Sequence, residues 1–257
     1  MPSRKPFSPN ASFINKKFMS GLQNFVQLQV ADGTTMQAYT SLPEHGKSPF
    51  PGLILFQEAF SVNHHIRKLA DRFAAEGYLV IAPELFHRSG PPGVEIAYTD
   101  FPSTMPHIQA LTVEGTEADI HAAWNWLQNN PQVTGGHIVA TGYCMGGRVS
   151  FLANTMLPFK AVASYYGAGI VPDLIKRAAS INAPHLFFWG GKDQHIPKEH
   201  IETIKAELTN AGKRFINVEI SDADHGFFCD ERVSFNADAA ELAWGLTLEF
   251  FIQKLKG

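Results

Sequence analysis

A change of rhythm after residue 50 limits what this chain can fold into. "PGLILFQEAF" at 51–60 opens as a continuous apolar run, and "YLVIAPEL" at 78–85 is another. Between them, "HIRKLADRFAAEGY" at 65–78 places Ile66, Leu69, Phe73 and Ala74 on one helical face. Apolar runs without alternation suit strands buried on both faces, as in a parallel sheet covered by helices. The rhythm recurs downstream, with helices expected at 112–130, 145–156, 198–214 and 236–256, the last capped by Asn236. Strands are expected at 137–144, 159–167, 184–190 and within 215–226. Upstream, "FVQLQVADGTTMQAYTSLP" at 25–43 alternates apolar and polar residues on both sides of Asp32-Gly33, the pattern of an antiparallel hairpin. The expectation is an α/β chain with a mostly parallel, doubly wound sheet of about eight strands flanked by helices. No repeat or linker divides residues 21–257, which read as a single domain.

Composition removes several classes of function. A formal charge of −3 opposes nucleic-acid and anionic-membrane partners, which need a dense positive face. Cys144 and Cys229 are the two cysteines, so no disulfide framework is present and a cytoplasmic setting is expected. Without a CxxC spacing no structural zinc is expected, and nothing calls for another metal or a cofactor. Residues 1–20 carry Arg4, Lys5, Lys16 and Lys17 but no signal-peptide core, and read as a loosely ordered N-terminal arm. No apolar run is long enough to cross a bilayer. A monomer or homodimer acting on a small molecule fits this profile.

Ligands of open α/β sheets gather at the carboxyl ends of the strands. Four polar residues fall there: Glu58 in "FQEAF", Cys144 in "TGYCMGGR", Asp193 in "WGGKDQHIP" and His225 in "DADHGFF". Cysteine, aspartate and histidine follow one another in the order of nucleophile, acid and base used by α/β-hydrolases. The thiol needs help to ionise at neutral pH, and the start of a helix gives part of that help through its unsatisfied N–H groups. A histidine can relay the proton, and a carboxylate can hold its ring. The Met145 N–H, one residue past the sulfur, is the expected half of an oxyanion hole, with the Ala59 N–H as the other half. Each piece has a plainer reading, since a glycine-rich turn can bury an inert cysteine and an aspartate can simply form a turn. Joint placement after three separate strands favours catalysis. The Pro/Gly-rich segment 86–112 reads as a long excursion of the kind that forms lids.

The stretches "FQEAFSVNHHIRKLADRFAAEGYLVIAPELFHR" (56–88), "GYCMGGR" (142–148), "YYG" (165–167), "GGKDQHIP" (190–197) and "DHGFFCDER" (224–232) resemble the dienelactone hydrolase family of α/β-hydrolases. The resemblance runs from about residue 22 to the C-terminus. It implies the α/β-hydrolase fold and a triad of Cys144, Asp193 and His225, with Glu58 helping to convert the thiol to thiolate. It also implies that Arg88 helps bind a substrate carboxylate and that Tyr166 lines the pocket; Phe60 is a further substrate-binding candidate. In the family pattern a second carboxylate-binding arginine stands four residues after the triad histidine. Here that position is Cys229, with Arg232 three further on. Trp189 and Phe227 are candidates for an apolar pocket wall or for core. His64 and His65 suit a helix start or pocket rim rather than a metal, His195 receives no role, and Cys229 reads as a small apolar filler. The implied activity is hydrolysis of an ester or lactone, carboxymethylenebutenolidase-like, through a thiol ester. The alternatives are a broad carboxylesterase or thioesterase and a non-catalytic binder of small lactones.

Overall fold

The computed structural model describes residues 24–256; the N-terminal arm expected at 1–20 lies outside them. The chain opens with the expected hairpin, β1 (Phe25–Gln29) and β2 (Thr35–Ser41), paired antiparallel. Its turn relies on Gly33 at φ +88° and on Asp32 Oδ1, which accepts from both the backbone and the hydroxyl of Thr34. Then follow β3 (Phe50–Phe56), α1 (His64–Ala75), β4 (Leu79–Pro83), α2 (Met105–Ala110), α3 (Val113–Gln128), β5 (Val133–Tyr143) and α4 (Met145–Asn154). The chain ends with β6 (Ala161–Tyr165), β7 (His185–Gly190), α5 (Lys198–Asn210), β8 (Phe215–Ile220) and α6 (Ala237–Leu255).

The eight strands form one sheet in the order β1-β2-β4-β3-β5-β6-β7-β8. From β4 to β8 every pairing is parallel, and β2 joins β4 antiparallel. Burial explains the sequence pattern. Every residue of β4, β6 and β7 is buried, whereas the edge strands β1 and β8 are only partly covered. Helices α3 and α4 contact each other on one face, and α1 and α6 meet on the other through Phe73 and Trp244, 4.5 Å apart. Asn63 caps α1 through its side chain, as Asn236 does α6. Among the described residues no helix is long and apolar enough to cross a membrane.

Two segments differ from the sequence expectation. The 86–112 excursion is not wholly irregular: a 3-10 turn at Phe101–Thr104, capped by Asp100, leads into α2. Strand β5 also begins at Val133, four residues early, because Phe50 pairs with Val133 across a register shift. Neither feature has a strong local period, so each follows from tertiary pairing rather than from pattern.

Candidate active site

Cys144 sits between β5 and α4 at φ +55° and ψ −118°, a backbone conformation costly for a side-chain-bearing residue. The glycines around it exist for lack of space. A Cβ on Gly142 would strike the Gly146 carbonyl, and one on Gly146 would strike the carbonyls of Phe56 and Gln57. A Cβ on Gly147 would lie 2.7 Å from the Tyr165 carbonyl oxygen. The turn is therefore clamped between the carboxyl ends of β3 and β6. That position leaves the sulfur partly accessible.

The three residues expected to act together do meet. His225 Nε2 lies 3.2 Å from Cys144 Sγ, and its Nδ1 lies 2.8 Å from Asp193 Oδ2. Asp193 Oδ1 accepts the His195 backbone N–H at 2.8 Å, so both carboxylate oxygens are engaged. The loops bearing Asp193 and His225 pack backbone to backbone. A Cβ on Gly190 would lie 2.7 Å from the Ala223 carbonyl oxygen, and one on Gly191 2.7 Å from Ser221 Cα. Burial opposes a charge on the His225 ring, but the neighbouring Cys144 sulfur and the Asp193 hydrogen bond outweigh it and raise its basicity. The arrangement can hold a thiolate–imidazolium pair.

Neither Met145 N–H nor Ala59 N–H has a hydrogen-bond acceptor among the described residues, and Met145 opens α4 directly after the sulfur's residue. Met145, Ala59 and Phe60 also belong to one small apolar cluster with Phe86 and Ile96. Glu58 is fully buried beside them. Its Oε2 accepts the Tyr98 hydroxyl at 2.7 Å, while Oε1 has no hydrogen-bond partner and faces Arg232 Nη1 at 3.9 Å. Arg232 lies over the rings of Phe60 and Tyr98, each at 5.7 Å, and its Nη1 also lacks a hydrogen-bond partner. Burial, then the charge of Glu58, pushes the Cys229 thiol up to about 12, so it is a neutral neighbour here.

Tyr166, at φ +38°, packs its ring 5.0 Å from the ring of His225. Its hydroxyl is buried without a partner, and burial keeps it protonated. Other expected pocket residues are placed differently. Arg88 is bound by Asp119 through Nη1 and Nη2 at 2.8 and 2.9 Å and by Asp32 through Nε at 2.8 Å, which commits its guanidinium to structural partners. Trp189 stacks on Phe187 and donates Nε1–H to Asn217, and Phe227 is buried against Tyr165 and Tyr166. Both belong to the core. His64 pairs with Glu231 at the exposed start of α1.

Two residues without a sequence-based role belong to the site. Tyr98 lies in an aperiodic stretch, and only the fold of the excursion brings it to Glu58. His195 presents its backbone to Asp193 and its ring to His225, with ring centres 5.0 Å apart. The Asp-x-His spacing was the legible signal, since an aspartate readily accepts from the N–H two residues on.

The family model for the dienelactone hydrolase family matches residues 36–255. A protein of Escherichia coli (strain K12) named "Putative carboxymethylenebutenolidase" is 34% identical over 235 residues, spanning 87% of this chain and 84% of its own. A protein of Synechocystis sp. with the same name is 35% identical over 218 residues, covering 80% and 87%. The crystal structure of a "Putative Dienelactone Hydrolase" from Klebsiella pneumoniae superposes with a TM-score of 0.81 at 30% identity, covering 89% of this chain and 98% of that one.

Proposed function

The chain belongs to the dienelactone hydrolase family of hydrolases, and from that premise we propose that it cleaves an ester or lactone with Cys144 as nucleophile. The sulfur, as thiolate, adds to the substrate carbonyl carbon. The developing oxyanion is met by the Met145 and Ala59 N–H groups. His225, an imidazolium held by Asp193 beside the thiolate, gives its Nε2 proton to the departing alkoxide and becomes neutral, leaving a thiol ester on Cys144. The neutral ring then takes a proton from water as the oxygen attacks the thiol ester; thiolate leaves and the acid is released. Glu58 serves the step before, taking the thiol proton when its contact with Tyr98 loosens on substrate entry.

The relay carries this reading: 3.2 Å from sulfur to imidazole and 2.8 Å from imidazole to carboxylate, on a turn where Cys144 holds an unfavourable backbone. Cys144→Ala should abolish hydrolysis of an activated phenyl ester with circular dichroism unchanged. Undiminished turnover in that variant overturns the assignment. Cys144→Ser should keep the fold and lose most activity, since a hydroxyl does not ionise against this imidazole.

Arg232 extends the reading to the substrate. With its Nη1 unpaired beside the site, it is the cation available to a substrate carboxylate, in place of the engaged Arg88. Arg232→Met should erase a preference for an anionic lactone over its methyl ester by at least about tenfold in kcat/KM, corresponding to about 1.4 kcal/mol. Loss of the preference in Arg88→Ala, with Arg232→Met unaffected, would reverse the assignment.

A further inference from the structure

Glu58, His65 and Cys229 converge from the β3–α1 loop, the first turn of α1 and the loop after β8. One ligand atom from each lies within 4.8 Å of the others, and all three residues are buried. His65 is 2% exposed, and neither ring nitrogen has a hydrogen-bond partner. Glu58 is fully buried with Oε1 in the same condition. Unpaired polar atoms at this depth each cost about 1–3 kcal/mol. Orphaned atoms on two residues of one cluster therefore point to a shared partner.

We propose that Glu58, His65 and Cys229 form a binding site for a borderline divalent transition ion such as Zn²⁺. The donor set is one carboxylate oxygen, one imidazole nitrogen and one sulfur, which suits tetrahedral zinc with a fourth position left for water, and does not suit magnesium or calcium. Asp230 Oδ1 stands 3.5 Å from His65 Nδ1 without a hydrogen bond to it, close enough to take up on ion binding the part that carboxylates play behind zinc-bound imidazoles. A surface groove lined by His65, Lys68, Phe228 and Asp230 gives a path from solvent. Binding converts the Cys229 thiol and Zn²⁺ into a zinc thiolate and releases one proton to water. With Glu58 and the thiolate as ligands, the two positive charges of the ion are balanced. Arg232 approaches the same Glu58 oxygen at 3.9 Å, so ion and guanidinium compete for it, which caps the affinity and makes occupancy reversible.

The consequence for turnover rests on the role proposed above for Glu58. An ion that captures this carboxylate removes the group that ionises Cys144, and so inhibits hydrolysis without touching the sulfur. Titrating the purified enzyme with Co²⁺ separates the two claims. One equivalent should give a near-ultraviolet thiolate-to-cobalt band that persists in Cys144→Ser and disappears in Cys229→Ser. In His65→Gln the affinity should fall at least about tenfold. Zn²⁺ should inhibit the native enzyme reversibly, with a chelator restoring activity. His65→Gln should turn over normally without metal and need at least about tenfold more Zn²⁺ for the same inhibition. A band lost in Cys144→Ser but kept in Cys229→Ser would place the ion on the nucleophile and overturn the site. No thiolate band in the native enzyme overturns it equally. A normal cobalt band without zinc inhibition would leave the site standing and overturn the role of Glu58.

Discussion

Cys144 holds φ +55° and ψ −118°, a conformation that glycine adopts freely and other residues adopt at a cost of about 1–3 kcal/mol. Glycine gives back only about 0.5–1 kcal/mol through its looser unfolded chain. Cys144→Gly is therefore expected to be more stable than Cys144→Ala, by about 1 kcal/mol in urea unfolding, although both lack the sulfur. Equal or reversed midpoints would mean that the turn stores no strain. At this scale the sequence was most readable where a residue type has few uses. The glycines flanking Cys144 and the ordered Cys, Asp and His predicted positions that the structure brings together. Arg88 gave no such sign, because sequence does not reveal that Asp119 and Asp32 engage its donors. Tyr98 carried no signal, since its partner Glu58 is 40 residues away.

A buried polar chain links three elements beneath the site. Asn154 of α4 donates to His185 Nδ1 of β7 at 3.1 Å, the ring's Nε2 meets Ser164 Oγ of β6 at 2.8 Å, and Ser164 donates to the Gly147 carbonyl at 2.7 Å. This order fixes the neutral Nε2–H tautomer. Burial lowers the pKa of His185 to about 3, below the ordinary value near 6.5. Between those values the unfolded chain binds a proton that the folded protein refuses. The stabilisation is thus complete above about pH 6.5 and is lost as pH falls toward 3, by about 1.4 kcal/mol per pH unit. His185→Gln should flatten the acid limb of a stability–pH curve by close to one proton; a superimposable limb would refute the linkage. Element types were largely legible because the parallel strands are buried on both faces and read as unbroken apolar runs. The helical part of the 86–112 excursion was not, because a helix of six residues has too few turns to display a period.

Across the whole molecule, Arg88 joins parts far apart in sequence: the hairpin turn through Asp32, helix α3 through Asp119 and the root of the excursion itself. Asp119 is fully buried and also meets His87 Nε2 at 3.0 Å. Arg88→Ala should destabilise the protein by about 3 kcal/mol, the scale of leaving a buried carboxylate without its cation. KM for neutral esters should stay near its original value. A normal melting temperature with a raised KM would return Arg88 to the substrate. The overall topology was foreseeable from the strand–helix rhythm and handedness rules, whereas the tether was not, because pairing between distant surface segments leaves no periodic trace. The glycine contacts that clamp the Cys144 turn and join the loops of Asp193 and His225 tolerate no added methyl, while the excursion is fastened largely through side chains such as Arg88, Tyr98 and Phe86. The molecule thus divides into an engine fixed by close backbone contact and an exchangeable cover. In laboratory evolution or recombination with relatives, new substrate ranges should arise by swapping residues 89–112 around a retained Tyr98, the partner of Glu58, with the reactivity of the sulfur inherited intact.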